Sequence, residues 1–153
     1  MNDDAPVLII DDDALVRGTF RRVLERTGSL VLEAESGQAG LILCRERKPG
    51  VVLLDLRMPG MDGMSVLKMI KQKWPDTEVV IITGYPTVET AKEAVRLGAY
   101  DYLAKPVGPD DVINVANGAM TQKKWALHKD RTGQNDGIGS NTASSLKTSS
   151  FAN

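Results

Sequence analysis

Cysteine and histidine are almost absent: Cys44 and His128 each occur once in 153 residues. A lone thiol excludes an internal disulfide, and without a Cys/His cluster neither zinc nor an iron–sulfur centre has a ligand set. An excess of charge of one sign is also lacking, since 19 Lys and Arg face 20 Asp and Glu for a net charge of -1. Such a balance argues against a surface built to grip phosphates of nucleic acid, so direct nucleic acid binding by this domain is not expected. No apolar run approaches the length of a bilayer span, and the N-terminal Met1-Asn2-Asp3-Asp4-Ala5-Pro6 is acidic where a secretory signal is basic. The expectation is a cytoplasmic protein with no membrane contact. Neither G-x-x-x-x-G-K-S/T nor G-x-G-x-x-G follows an apolar run, which removes the common nucleotide-binding enzymes.

What the chain does contain is a regular alternation. Short apolar runs at Val7 to Ile10, Leu30 to Leu32, Val51 to Leu54 and Val79 to Ile82, with a weaker one at Tyr100 to Ala104, have the character of strands buried on both faces. Between them lie segments of helical spacing, clearest at Val16, Phe20, Val23, Leu24 and Thr27, and at Val66, Leu67, Ile70 and Trp74. Gly28 closes the first helix, Leu97-Gly98 the fourth, and Pro109 with Asp110 and Asp111 opens the fifth, predicted to run from about Asp110 to about Ala126. Five such β-α units require parallel strands with right-handed crossovers, so the fold class is a doubly wound α/β sheet. The folded domain is expected over residues 5–127 and a polar tail over 128–153. From Thr132 onward Gly, Ser, Thr and Asn dominate, too polar to offset their own ordering entropy, so that tail is expected to be disordered.

In an open parallel sheet the ligand site lies outside the carboxyl ends of the strands. Strand one runs into Asp11-Asp12-Asp13, strand three into Asp55, strand four into Thr83, and strand five leads to Lys105-Pro106. Asp13 is explained as a helix N-cap. Two further acids exceed that need, and Asp11, Asp12 and Asp55 converging would repel one another unless a cation sat between them. Hard oxygen ligands point to Mg²⁺, whose remaining positions take water or phosphate oxygens. Thr83 or Lys105 alone would be a weak signal; the constellation is the specific one. Tyr100, Trp74 and Trp125 are expected to pack, Cys44 to be a buried thiol and His128 to be exposed. Lys123, Lys124, Lys129 and Arg131 suit a helix C-terminus.

The stretches Leu8-Ile9-Ile10-Asp11-Asp12-Asp13, Leu53-Leu54-Asp55 through Pro59-Gly60-Met61-Asp62-Gly63, Ile82-Thr83-Gly84 and Gly98-Ala99-Tyr100-Asp101-Tyr102-Leu103-Ala104-Lys105-Pro106 together resemble the receiver domain of two-component response regulators. Thr83 to Ala91 and Leu97 to Tyr102 further resemble receivers of nitrogen-regulator-type transcription activators. The resemblance implies a flavodoxin-like fold with strand order 2-1-3-4-5 and Asp55 as the nucleophile that accepts a phosphoryl group from a histidine kinase, a phosphotransfer protein or a small acyl phosphate. It implies Mg²⁺ held by Asp12, Asp55 and the backbone carbonyl of Arg57, with Asp11 binding directly or through water. Lys105 would meet a phosphoryl oxygen, and the Lys105-Pro106 peptide would be cis.

Thr83 and Tyr102 match the family's switch pair: the hydroxyl moves to the phosphoryl group and the ring turns inward. That motion would alter a face made by the fourth helix, fifth strand and fifth helix, which binds a partner or a second copy. Arg57 and Tyr85 are bulky groups expected to shield the aspartyl phosphate from water. Two rival functions fit the sequence less well. A small-molecule phosphatase needs an acid two residues beyond the nucleophile, where this chain has Arg57; a pseudo-receiver that only binds would lack one of the acids, the threonine or the lysine.

Overall fold

The structure, a computed structural model, describes residues 5–132, with side chains as far as Lys123. The elements alternate throughout: β1 (Val7–Ile10), α1 (Ala14–Glu25), β2 (Val31–Ala34), α2 (Gly37–Arg47), β3 (Val51–Leu54), α3 (Gly63–Lys73), β4 (Glu78–Thr83), α4 (Val88–Arg96), β5 (Asp101–Ala104) and α5 (Pro109–Thr132). All strand pairs are parallel, in the order β2-β1-β3-β4-β5.

The apolar runs are continuous because successive side chains enter two different cores. Val7, Ile9, Val51, Leu53, Val80 and Ile82 pack with Phe20 and Leu24 of α1 and Val112, Val115, Ala116 and Ala119 of α5. Leu8, Ile10, Val52, Leu54, Val79 and Ile81 point the other way, against Cys44 of α2, Val66, Leu67 and Ile70 of α3 and Ala94 of α4. Trp74 and Tyr100 border these clusters, as expected of packing aromatics, and Cys44 is 1% exposed. The side chains of Trp125, His128, Lys124, Lys129 and Arg131 lie outside the described residues.

The boundary signals act as anticipated. Gly28 and Gly98 follow α1 and α4 with φ of +89° and +97°, a backbone conformation that glycine adopts without steric cost. Four elements differ from the sequence reading: β4 gains Glu78 and Thr83 at its ends, β5 begins at Asp101 rather than Tyr100, and the second strand and fifth helix depart further. The second strand begins at Val31 and reaches Ala34, because its register pairs Val7 to Ile10 with Val31 to Ala34 while the Leu30 side chain stays 54% exposed. The fifth helix starts at Pro109 and continues to Thr132, six residues past Ala126. Gln122, Lys123, Lys124, Ala126 and Leu127 are strong helix formers and nothing among them stops the helix. The tail expected to be disordered lies, from residue 133 onward, outside the described residues.

Candidate functional site

Strand order reverses at β1, which has β2 on one side and β3 on the other. Ile10 pairs with Leu54 at the carboxyl ends of β1 and β3, and the Asp55 N–H donates to the Ile10 carbonyl at 3.0 Å. The residues that follow these strands, Asp11 and Asp55, are therefore forced side by side. One carboxylate oxygen from each of Asp11, Asp12 and Asp55 lies within 4.8 Å of the others. Asp11 and Asp55 are buried and Asp12 is exposed, so the pocket opens to water on one side. At the other edge, Thr83 ends β4 and accepts through its carbonyl the N–H of Lys105 at 2.7 Å. The Lys105 ammonium then reaches Asp11 Oδ2 at 2.8 Å and lies 3.8 Å from Asp55 Oδ1. The peptide between Lys105 and Pro106 is cis.

Local structure holds the two acidic loops. Asp13 caps α1 by accepting the N–H groups of Leu15 and Val16, and its own N–H donates to Asp11 Oδ1 at 2.9 Å. After Asp55 the chain turns back so closely that Gly63, at the start of α3, donates to the Leu56 carbonyl at 3.1 Å. A Cβ on Gly63 would fall 2.5 Å from the Asp55 carbonyl oxygen, so only glycine fits there. Asp62 caps α3 by accepting from Ser65 N–H at 3.0 Å.

The charges do not balance. Burial, and next the carboxylate of Asp11, push the Asp55 carboxyl above its ordinary range, while Lys105 and the Arg57 N–H offset this in part. Three carboxylates against one ammonium leave a negative pocket lined with hard oxygen donors, which fits a small divalent cation. Beside it the guanidinium carbon of Arg57 sits 4.1 Å from the centre of the Tyr85 ring, a cation–π contact between two exposed side chains at its rim.

Thr83 is fully buried, and its hydroxyl accepts the Tyr85 N–H at 3.1 Å. Tyr102 is 6% exposed with its ring already in the core, so the inward turn expected of it has no room to occur from this conformation; its hydroxyl accepts the Thr87 N–H at 3.2 Å and meets the Thr90 hydroxyl at 2.5 Å. Because Thr87 is the N-cap of α4, Tyr102 is tied to the start of that helix. The sequence reading passed over Thr90, although its place three residues after a threonine cap was a usable signal. It also passed over Arg17, whose carboxylate partner Glu33 lies 16 residues away on β2.

The receiver-domain model for response regulators matches residues 7–117. The chain is 38% identical over 110 residues to the acid tolerance regulatory protein ActR of Rhizobium meliloti, covering 72% of this chain and 57% of that one. It is 36% identical over 115 residues to the DNA-binding transcriptional regulator NtrC of Salmonella typhimurium, covering 75% of this chain but 24% of that longer one. Among solved structures, NtrX of Brucella abortus superposes with a TM-score of 0.78 at 32% identity, over 83% of this chain and 29% of that one. A CheY-like receiver domain protein from Methanospirillum hungatei superposes with a TM-score of 0.78 at 25% identity, over 81% of this chain and 99% of that one. Together with the acidic pocket at the β1/β3 switch point, these matches establish that the chain belongs to the response regulator receiver domain family.

Proposed function

We propose that the chain is a phosphoacceptor: the Asp55 carboxylate takes a phosphoryl group from a histidine kinase or phosphotransfer protein. The observation that carries this reading is the convergence of Asp11, Asp12 and Asp55 within 4.8 Å, with the Lys105 ammonium beside them. An oxygen of Asp55 attacks phosphorus; the bond from phosphorus to the donor nitrogen, or to the oxygen of a small acyl phosphate, breaks, and its electron pair leaves with the donor. Asp11, Asp12 and Asp55, with the Arg57 carbonyl, would hold Mg²⁺, which supplies charge neutralisation for the transferring phosphoryl group. Lys105 offers a compact positive charge to a phosphoryl oxygen once it exchanges its contact with Asp11. The Arg57–Tyr85 contact supports the shielding role of that pair, and Ala at both positions should hasten loss of the phosphoryl group.

The switch would pass from Thr83, whose hydroxyl must leave the Tyr85 N–H to reach the phosphoryl group, to Tyr102 and the N-cap of α4. The α4–β5–α5 face would then engage a partner or a second copy. We place the signalling domain from residue 5 through the end of α5 at Thr132, five residues beyond the expected boundary at 127 because the helix continues there, in a cytoplasmic protein that catalyses only its own phosphorylation and dephosphorylation. Among the described residues no helix is long and apolar enough to cross a membrane. Nothing favours a module that only binds, since the three acids, the threonine and the lysine meet at one edge. The test is intact mass after incubation with acetyl phosphate and Mg²⁺, beside Asp55→Asn and a chelated sample. A phosphoryl-sized gain that needs both Asp55 and metal is expected; a folded, Mg²⁺-binding protein that shows no gain would overturn the proposal.

A further inference from the structure

Arg17 lies in the first turns of α1, four residues after the Asp13 cap, with its side chain only 14% exposed. Two edges of its guanidinium are engaged. Nη1 donates to the backbone carbonyl of Asp11 at 2.7 Å, and Nε donates to Glu33 Oε1 on β2 at 3.0 Å. The second Glu33 oxygen accepts from Arg21 Nη1 at 2.7 Å, and this bond with Arg21 holds the Glu33 carboxyl below its usual range. Glu33 is thus a fixed anion that both orients Arg17 and cancels its charge beside a pocket meant for a cation.

Asp11 is the residue at which β1 leaves the sheet. Its N–H still bonds the Ala34 carbonyl at 3.1 Å, and its carboxylate is held by Asp13 N–H and Lys105. Its carbonyl has left the ladder and is taken by Arg17. That bond sets the plane of the peptide joining Asp11 to Asp12, and with it the directions in which the two carboxylates leave the chain.

We infer that Arg17 is a positioning residue for cation binding, acting through the main chain of Asp11 to hold the Asp11 and Asp12 carboxylates in register, with Glu33 as its anchor. The inference rests on the Mg²⁺ reading of the pocket. A role confined to tying α1 to β2 would be shared by Arg21, which meets the same Glu33 but does not reach Asp11. The experiment is titration calorimetry of the full chain with Mg²⁺ and, separately, Mn²⁺, on wild type, Arg17→Met, Arg17→Lys and Arg21→Met. Loss of an outer partner of a metal site weakens affinity by about 10- to 100-fold, and Arg17→Met is expected at the lower end of that range. Arg17→Lys keeps the stem and the charge but cannot span both partners, so a several-fold loss is expected. Arg21→Met should bind within about twofold of wild type, because bonding around Asp11 is unchanged. Equal affinity in wild type and Arg17→Lys, or equal losses in the Arg17 and Arg21 variants, would overturn the inference alone. Absence of binding to folded wild type would overturn the Mg²⁺ reading together with it.

Discussion

Replacing Asp55 with asparagine removes the proposed nucleophile, yet in metal-free protein it should raise stability. At an effective dielectric of about 20, unit charges no more than 4.8 Å apart repel by at least about 3.5 kcal/mol. Asp55 faces two such partners, although Asp12 is exposed and water weakens its share. The Lys105 ammonium at 3.8 Å returns about 4.4 kcal/mol on the same scale. With Asp12 discounted and the burial of Asp55 added, the balance favours asparagine by about 1–3 kcal/mol, or about 4–10 °C in Tm for a domain of this size.

The pH dependence has a definite sign. Because burial and Asp11 raise the folded-state value of the Asp55 carboxyl, its protonated form is bound more tightly in the fold than in the unfolded chain. The stability this gives is whole below the ordinary carboxylate range and is lost as pH rises through the raised folded value. The advantage of Asp55→Asn should therefore open over that interval, persist at neutral pH and close in acid. Saturating Mg²⁺ should narrow or reverse it by stabilising wild type more. The assay is thermal unfolding of both proteins in chelator and in Mg²⁺ across that range. A variant that melts at or below wild type in chelator at neutral pH would refute the reasoning, because Lys105 would then already balance the cluster.

Further outcomes are expected elsewhere. Gly63→Ala should destabilise by about 1–2 kcal/mol despite the better helix propensity of alanine, since its Cβ would meet main-chain atoms of Asp55 and Leu56. Gly18→Ala, whose nearest obstacle is an Arg22 side-chain nitrogen at 3.5 Å, should gain about 1 kcal/mol; denaturant unfolding of the two variants checks the opposite signs. Thr90→Val and Tyr102→Phe remove opposite ends of the hydrogen bond between their hydroxyls, and each also removes a bond to Thr87; each should cost about 1–2 kcal/mol, with the double variant costing less than the sum. Strictly additive losses would deny that coupling. Cys44, 1% exposed and with burial pushing its thiol up to about 12, should resist alkylation in the native protein at mildly alkaline pH and react fully in denaturant; fast native labelling would contradict its placement.

The fold was legible because both faces of the sheet are covered. β1, β3 and the centre of β4 read as unbroken apolar runs, and turn residues such as Gly28 and Gly98 marked where helices stop. The edge strand β2 was shifted because Leu30 is apolar yet exposed, and apolar character alone does not distinguish a strand's first residue from its approach. The end of α5 was misplaced for the opposite reason: helix formers continue past Ala126 with no capping residue. Gly118, by propensity alone a weakness of about 1 kcal/mol in that helix, has a packing role. In the fold a Cβ there would lie 2.6 Å from the Tyr100 hydroxyl, so its small size lets an aromatic side chain approach the helix.

The sequence by itself determined which chemical groups stand at strand ends: three acids after β1, one after β3, a threonine closing β4 and a lysine after β5. Those assignments are local, set by side-chain period and turn chemistry within a few residues. Tertiary structure alone decided that β1 lies between β2 and β3, that Lys105 meets an aspartate 94 residues away, and that Arg17 finds Glu33 across the β2 edge. The order of strands follows from crossovers and from two cores that must both be filled, a cooperative packing problem that no short stretch of chain encodes. The site depends on that order, since its charges act over distances of a few ångströms and only the assembled sheet supplies them.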